Sequence, residues 1–219
     1  YGYDGSAYSG GTVYGNDYPT PDNGVYDINS NFTVPFGPMG ITDVFVSKFD
    51  EDGAQLLWST FLGGGNDNTG TETAHSMICD GENNLYLFGS TSSPDFPVSA
   101  GAFNTTHNGG DVGYNFGSTG VNHSAFGIDL YVSKLSADGA SLLGSTYVGG
   151  SGNDGVNYNA ANFGAFSELT SNYGDNFRGE IMLDDANNVI VASCTHSNDF
   201  PVVNAIQNSN GGAQDGTVF

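Results

Sequence analysis

The segment Asp43-Val-Phe-Val-Ser-Lys-Phe-Asp-Glu-Asp-Gly53 returns 86 positions later as Asp129-Leu-Tyr-Val-Ser-Lys-Leu-Ser-Ala-Asp-Gly139. At the same offset, Leu56-Leu-Trp-Ser-Thr-Phe-Leu-Gly-Gly64 returns as Leu142-Leu-Gly-Ser-Thr-Tyr-Val-Gly-Gly150, and Asp215-Gly-Thr-Val-Phe219 opens a third copy of the first segment. A second pair of segments, Asn83-Asn-Leu-Tyr-Leu-Phe88 and Asn187-Asn-Val-Ile-Val-Ala192, is offset by 104 and precedes the identical tetrapeptides Asp95-Phe-Pro-Val98 and Asp199-Phe-Pro-Val202. Asp17-Tyr-Pro-Thr20 is a looser copy of that tetrapeptide. Internal repetition of this kind means that one supersecondary unit is used several times. Two unequal offsets mean strands of fixed length joined by connections of variable length.

Each unit reads as four short strands. Strand a covers His75 to Asp80 and Gly179 to Asp184; strand b, Leu85 to Thr91 and Val189 to Thr195; strand c, Asp43 to Phe49 and Asp129 to Leu135; strand d, Leu56 to Leu62 and Leu142 to Val148. The turns Asp80-Gly-Glu-Asn-Asn84 and Asp50-Glu-Asp-Gly53 carry residues that tolerate positive φ and predict antiparallel hairpins. In strand c, Val44 and Val46 point to one face and Phe45 and Phe49 to the other, and strand b is apolar on both faces too. A sheet wetted on one face alternates polar with apolar, so these strands are expected to be covered on both sides. The predicted class is all-β: a β-propeller of four-stranded antiparallel blades. A two-sheet sandwich, whose strands would alternate more strictly, is the runner-up.

The units divide the chain into a partial blade over residues 1–65 (strands b, c and d), a full blade over 66–152 with a long connection at 104–128, and a partial blade over 153–219. That is about two and a half blades, against the roughly four to eight that close a propeller. The chain also opens inside patterned sequence, Tyr1-Gly2-Tyr3-Asp4, without a basic-then-apolar leader. Both features predict a fragment of a longer chain, whose remainder would be its first partner.

Charge narrows the function classes. Lys and Arg total 3 against 24 Asp and Glu, a formal net charge of −21, so a duplex or an anionic membrane surface would repel the chain and nucleic-acid binding is not expected. No run of 18 apolar residues is present, so no segment is expected to insert into a membrane as a helix. The hydrophobic fraction of 37% and aromatic fraction of 13% exceed what acidic disordered tails carry. The 34 glycines have no Gly-X-Y period, which excludes collagen and favours a turn-dense all-β chain.

The ordered motifs Asn-Asn-(apolar)4, Ser-x-Asp-Phe-Pro, Asp-(apolar)3-Ser-Lys-(apolar)-x-x-Asp-Gly and Ser-Thr-(aromatic)-(apolar)-Gly-Gly together resemble the bacterial SBBP-type β-propeller repeat. The resemblance covers most of the chain outside the long connections. It departs where many family members have Gly-Asn and this chain has Asn83-Asn84 and Asn187-Asn188; Asn tolerates the left-handed region next best after Gly, so the turn should survive. The resemblance implies a large secreted or cell-surface bacterial protein, typically of Bacteroidetes. Such proteins often carry adhesion modules and a type IX secretion signal, sometimes of the gliding-motility kind. On this basis the localisation is expected to be extracellular or cell-surface, and the partners to include secretion or surface machinery.

A residue that recurs at the same place in every unit is expected to serve the fold, which makes Asp43, Asp129, Asp215, Lys48 and Lys134 structural. The four histidines, His75, His107, His123 and His196, have no metal-ligand spacing, and no nucleophile elbow is present, so no catalytic residue is assigned. Hard cations want clustered oxygens; the loops Gly63-Gly-Gly-Asn-Asp67 and Gly149-Gly-Ser-Gly-Asn-Asp154 offer Asp67 and Asp154 as weak calcium candidates, with turn geometry as the simpler reading. Cys79 and Cys194 are not a repeated pair and read as two buried small residues, or else as a cross-blade disulfide. Residues 104–128 and 153–178 are long, rich in Asn, Gly and aromatics, and loops on a rigid scaffold are where binding residues concentrate. Tyr114, Phe116, Tyr158 and Tyr173 are therefore the candidate ligand-binding residues, their rings suited to sugars. The alternative is that these aromatics fold back over the blade edges. The expected function is non-catalytic: an adhesin or gliding-type segment binding glycans, surfaces or protein partners. A propeller-based polysaccharide hydrolase or lyase, and a passive spacer, are the alternatives.

Overall fold

The computed structural model describes residues 1–13, 18–21, 25–26, 42–64, 70–110, 115–116, 121–122, 127–156 and 179–219. These residues form twelve β-strands and no helix. A first sheet joins β1 (Ala7–Val13), β2 (Asp43–Phe49) and β3 (Leu56–Leu62). A second joins β4 (Glu72–Cys79), β5 (Leu85–Thr91), β8 (Asp129–Leu135) and β9 (Leu142–Val148), and a third joins β10 (Glu180–Leu183), β11 (Val189–Thr195) and β12 (Asp215–Val218). Every pairing in them is antiparallel between strands consecutive in the sheet. A separate two-stranded ribbon pairs β6 (Asn115–Phe116) with β7 (Val121–Asn122).

The strands expected as b, c and d lie where the repeats put them. Strand a differs at its ends: β4 begins three residues earlier, at Glu72, and β10 is shorter, Glu180–Leu183. β4 is extended past a register shift between Ala74 and Ser76, an irregularity that two-residue alternation does not reveal. The hairpin turns follow the expected chemistry. Asn83 and Asn187 have φ of 63° and 62°, and Gly53 and Gly139 have φ of 68° and 70°. Asp80 organises its turn by accepting the Glu82 and Asn84 backbone N–H groups (3.0 and 2.9 Å), and Asp184 does the same for Ala186 and Asn188 (2.9 and 2.8 Å).

The three sheets pack face to face through two apolar seams. The first seam gathers Val44, Val46, Trp58 and Leu62 from the first sheet with Leu85, Leu87, Tyr131 and Leu135 from the second. The second seam gathers Tyr86, Phe88, Leu130 and Val148 from the second sheet with Ile181 and Val191 from the third. Successive residues of β5 and β8 therefore face opposite seams, and β5 is buried at all of its positions, as apolar residues on both faces require. The corresponding outward face of the third sheet is open: Met182 is 60% and Val218 73% exposed.

Asp-Phe-Pro packs at these joints. Phe96 lies against Tyr131 and Tyr147 (ring centroids 4.5 and 6.0 Å) inside the first seam. Tyr18 makes the same contacts one unit earlier, with Phe45 and Phe61 (4.1 and 6.3 Å). The recurring lysines are structural in the same sense. Lys48 pairs with Asp4 at 2.9 Å and lies over the Tyr8 ring, while Lys134 pairs with Asp80 at 3.0 Å and lies over the Tyr86 ring.

Candidate functional site

At one end of each seam, four motifs that are far apart in sequence meet. In the first seam they are Asp43 at the start of β2, Gly63-Gly64 after β3, Glu72 at the start of β4, and Thr91-Ser92-Ser93 with Asp95 after β5. Glu72 is fully buried and Asp43 nearly so. Glu72 Oε1 accepts hydrogen bonds from the Thr91 hydroxyl (2.6 Å) and the Ser93 hydroxyl. Its backbone is tied across the seam to Thr42, whose carbonyl accepts the Glu72 N–H at 2.8 Å and whose hydroxyl donates to the Glu72 carbonyl at 3.1 Å. A Cβ on Gly63 would lie within 2.9 Å of both Asp43 Oδ1 and Glu72 Oε2. The glycine is needed because two carboxyl groups close over it.

The second seam repeats the arrangement with Asp129, Gly149-Gly150, Asp154, Thr195-His196-Ser197 and Asp199. Asp129 and Asp154 are fully buried. Asp154 Oδ1 accepts from the Thr195 hydroxyl, and Oδ2 accepts from Ser197 Oγ (3.0 Å) and the Gly150 N–H (2.9 Å). The Asp154 N–H donates across the seam to the Ile128 carbonyl at 2.8 Å. Asp129 Oδ2 accepts the Asn108 N–H at 2.6 Å, while its Oδ1 has no hydrogen-bond partner. A Cβ on Gly149 would lie within 2.7 Å of both Asp129 Oδ1 and Asp154 Oδ2. Asp199, from the second Asp-Phe-Pro, accepts the Ser151 N–H at 2.7 Å and so fastens the Gly-Gly loop.

Burial dominates the electrostatics. Loss of hydration pushes the Asp129 carboxyl up to about 8 against the pull of the Asn108 N–H, with Asp154 and Asp199 adding to the rise. Asp154 is raised to about 6, again by burial first, because its hydroxyl and N–H donors offset part of the cost. Glu72 is raised by burial and then by Asp43, with Ser93 and Thr91 opposing. The exposed Asp199 goes the other way, held below the usual carboxylate range by the Ser151 N–H.

Of the residues expected to bind ligands, Tyr114, Tyr158 and Tyr173 lie outside the described residues, as does the calcium candidate Asp67. Phe116 ends β6, where its backbone pairs with Val121. Asp154 is placed, and it belongs to the buried pair. The role it fills in the second seam is filled in the first by Glu72, which the sequence reading did not single out. Unequal loop length hid that equivalence: Asp154 follows Gly150 by four residues and Glu72 follows Gly64 by eight. A usable signal was present in Thr91-x-Ser93 and Thr195-x-Ser197, a repeated hydroxyl pair separated by one residue from Asp-Phe-Pro. Cys79 and Cys194 are buried thiols not joined in a disulfide, Cys79 lying in the first seam, so the disulfide alternative does not apply. Among the described residues, no group of three or more His, Cys, Asp or Glu is gathered as a metal site would need, and no helix is long and apolar enough to cross a membrane.

A shallow groove of about 120 Å³ flanks the third sheet, lined by Thr195, Ser197, Phe200, Gln207, Asp215 and Thr217. Asp215 is the third copy of Asp43 and Asp129. Its Oδ2 accepts the Gly211 N–H (2.6 Å) and Gln207 Nε2 (2.9 Å), much as Asp129 Oδ2 accepts the Asn108 N–H. Comparison with protein-family models and with curated proteins finds no match to this chain.

Proposed function

We propose that the chain is a run of β-propeller blades from a large secreted or cell-surface bacterial protein. In this reading it is a non-catalytic scaffold that holds its long connections out to glycans or other surface ligands. The carrying observation is where the recurring polar residues go. Asp43, Glu72, Asp129, Asp154 and the paired Thr and Ser hydroxyls are consumed inside the seams, fully or almost fully buried, where no substrate reaches them. Successive sheets stacked through equivalent seams, with the outward face of the third sheet open, support the propeller reading. The open face would receive a further blade. The net charge of −21 favours neutral or cationic ligands over polyanions.

Under this reading the candidate contacts are Tyr114, Phe116, Tyr158 and Tyr173, and the export route is the one that the repeat resemblance implies. The test is a glycan-array and polysaccharide pull-down with purified protein, beside Tyr158→Ala and Tyr173→Ala variants, with product analysis of the same polysaccharides. Retention that weakens in the variants, with no cleavage, is the expected result. Cleavage products would turn the reading to a hydrolase or lyase, and absence of any retention would leave a spacer.

A further inference from the structure

We propose that each seam is a proton latch: one proton shared by a carboxyl pair, Asp129 with Asp154 in the second seam and Asp43 with Glu72 in the first, joins successive sheets and is released as the surroundings turn alkaline. The second seam shows the geometry most fully. Asp129 is wholly buried, its Oδ2 is taken by the Asn108 N–H, and its Oδ1 is left without a partner beside Asp154 Oδ2, both abutting Gly149. Two ionised carboxylates so placed would repel each other in a medium that screens poorly, whereas a single proton lets one donate to the other. The protonated oxygen is Asp129 Oδ1 and the acceptor is Asp154 Oδ2; on opening, the proton leaves to water and both groups ionise.

Among the described residues, no salt bridge neutralises the pair. The groups facing the second-seam pair are Asp199 and Cys194; Tyr147 of the first seam reaches Asp129 only electrostatically, and His107, whose ring lies 5.7 Å from that of Tyr147, is kept neutral by burial. His75 approaches through Gly155 and hydrogen-bonds Ser90, and His196 hydrogen-bonds the Ala213 carbonyl. The first seam faces Tyr131, Tyr147 and Asp95. Lys48 and Lys134 are engaged with Asp4 and Asp80, and Arg178 lies outside the described residues. The atoms turned toward Asp154 are donors, the N–H of Gly150 and the hydroxyls of Thr195 and Ser197. A hard cation would instead want roughly six to eight oxygen ligands. The same construction at two seams, with Glu in one place and Asp in the other, makes the pairing a property of the joint.

The test is thermal unfolding across pH of the wild type, Asp129→Asn, Glu72→Gln and the exposed-acid control Asp52→Asn, each with calcium and with chelator. The amides mimic the protonated carboxyl. The wild type should lose about 10 °C of Tm between about pH 5 and about pH 8.5. Each amide variant should flatten that loss and exceed the wild type at the alkaline end, while Asp52→Asn should run parallel to the wild type. An unflattened loss in a folded amide variant overturns the latch. So does a calcium-dependent rise in Tm that the amides abolish, which would make the pair a cation site. Infrared spectroscopy of the wild type keeps the question open to decision if the variants do not fold. A protonated-carboxyl band should persist at about pH 7 and vanish above about pH 9; its absence at neutral pH would sink the proposal.

Discussion

At the scale of single residues, the constraint is space beside charge. Gly63 and Gly149 are each pressed by two carboxyl groups, and a methyl group there has nowhere to go without parting them. Gly149→Ala should therefore destabilise the protein by about 2–4 kcal/mol in chemical unfolding. Gly81 has open space where its Cβ would be, so Gly81→Ala should stay within about 0.5 kcal/mol. Backbone conformation sets a different constraint at Asn187, whose φ is 62°. Asn187→Gly should be nearly neutral, whereas Asn187→Val should cost about 1–2 kcal/mol because a β-branched residue resists the left-handed region. Equal losses for the two would show that the turn does not hold that conformation in solution.

At the scale of elements, Phe96 shows what the recurring tetrapeptide does. Its ring closes the first seam against Tyr131 and Tyr147, and the Tyr147 hydroxyl donates to the Ser93 carbonyl at 2.8 Å just before it. Phe96→Ala should cost about 3–5 kcal/mol, as an emptied aromatic site does, against under about 1 kcal/mol for the exposed Val203→Ala. Most of this level was readable in the amino-acid sequence. The bounds of β2, β3, β5, β8, β9 and β11 follow from two repeat offsets, since side-chain identity recurs wherever a strand must fit the same neighbours. Covering of both faces was legible from Val44 and Phe45 pointing oppositely. The carboxyl pairs were not, because pairing depends on which loop residue reaches back to the seam. Reach is fixed by tertiary closure, so Glu72 and Asp154 share a role without sharing a spacing, and the start of β4 was missed for a related reason, the register shift inside it.

At the scale of the whole molecule, two populations of carboxyl group oppose each other as pH changes. Asp4, lowered to about 2 by Ser6 and Lys48, and Asp80 and Asp199, also lowered, contribute stability above the ordinary 3.8 that is lost as pH falls through their depressed values. Asp129, raised to about 8, works in the other sense. Its folded form keeps a proton that the unfolded chain has given up, so stability declines as pH climbs from 3.8 toward 8. Calorimetry should place maximum stability near about pH 4–5, and a maximum above neutrality would contradict these assignments. The open face of the third sheet predicts a separate behaviour, concentration-dependent self-association through Met182, Ile190 and Val218. Light scattering should show it reduced in a Met182→Ser/Val218→Ser variant, with Tm little changed.

Each seam is assembled from two successive units: one aspartate comes from the earlier sheet, and the second acid with its two hydroxyls comes from the later one. Neither unit carries a complete joint, but the second unit carries both complementary halves, Glu72 with Thr91 and Ser93 toward the first sheet and Asp129 toward the third. Adding or removing one whole period in the gene therefore creates a junction that is already matched, whatever the length of the connections within it. The array can grow, shrink or exchange units by recombination between repeats while its joints stay chemically intact, leaving the variable connections free to diverge.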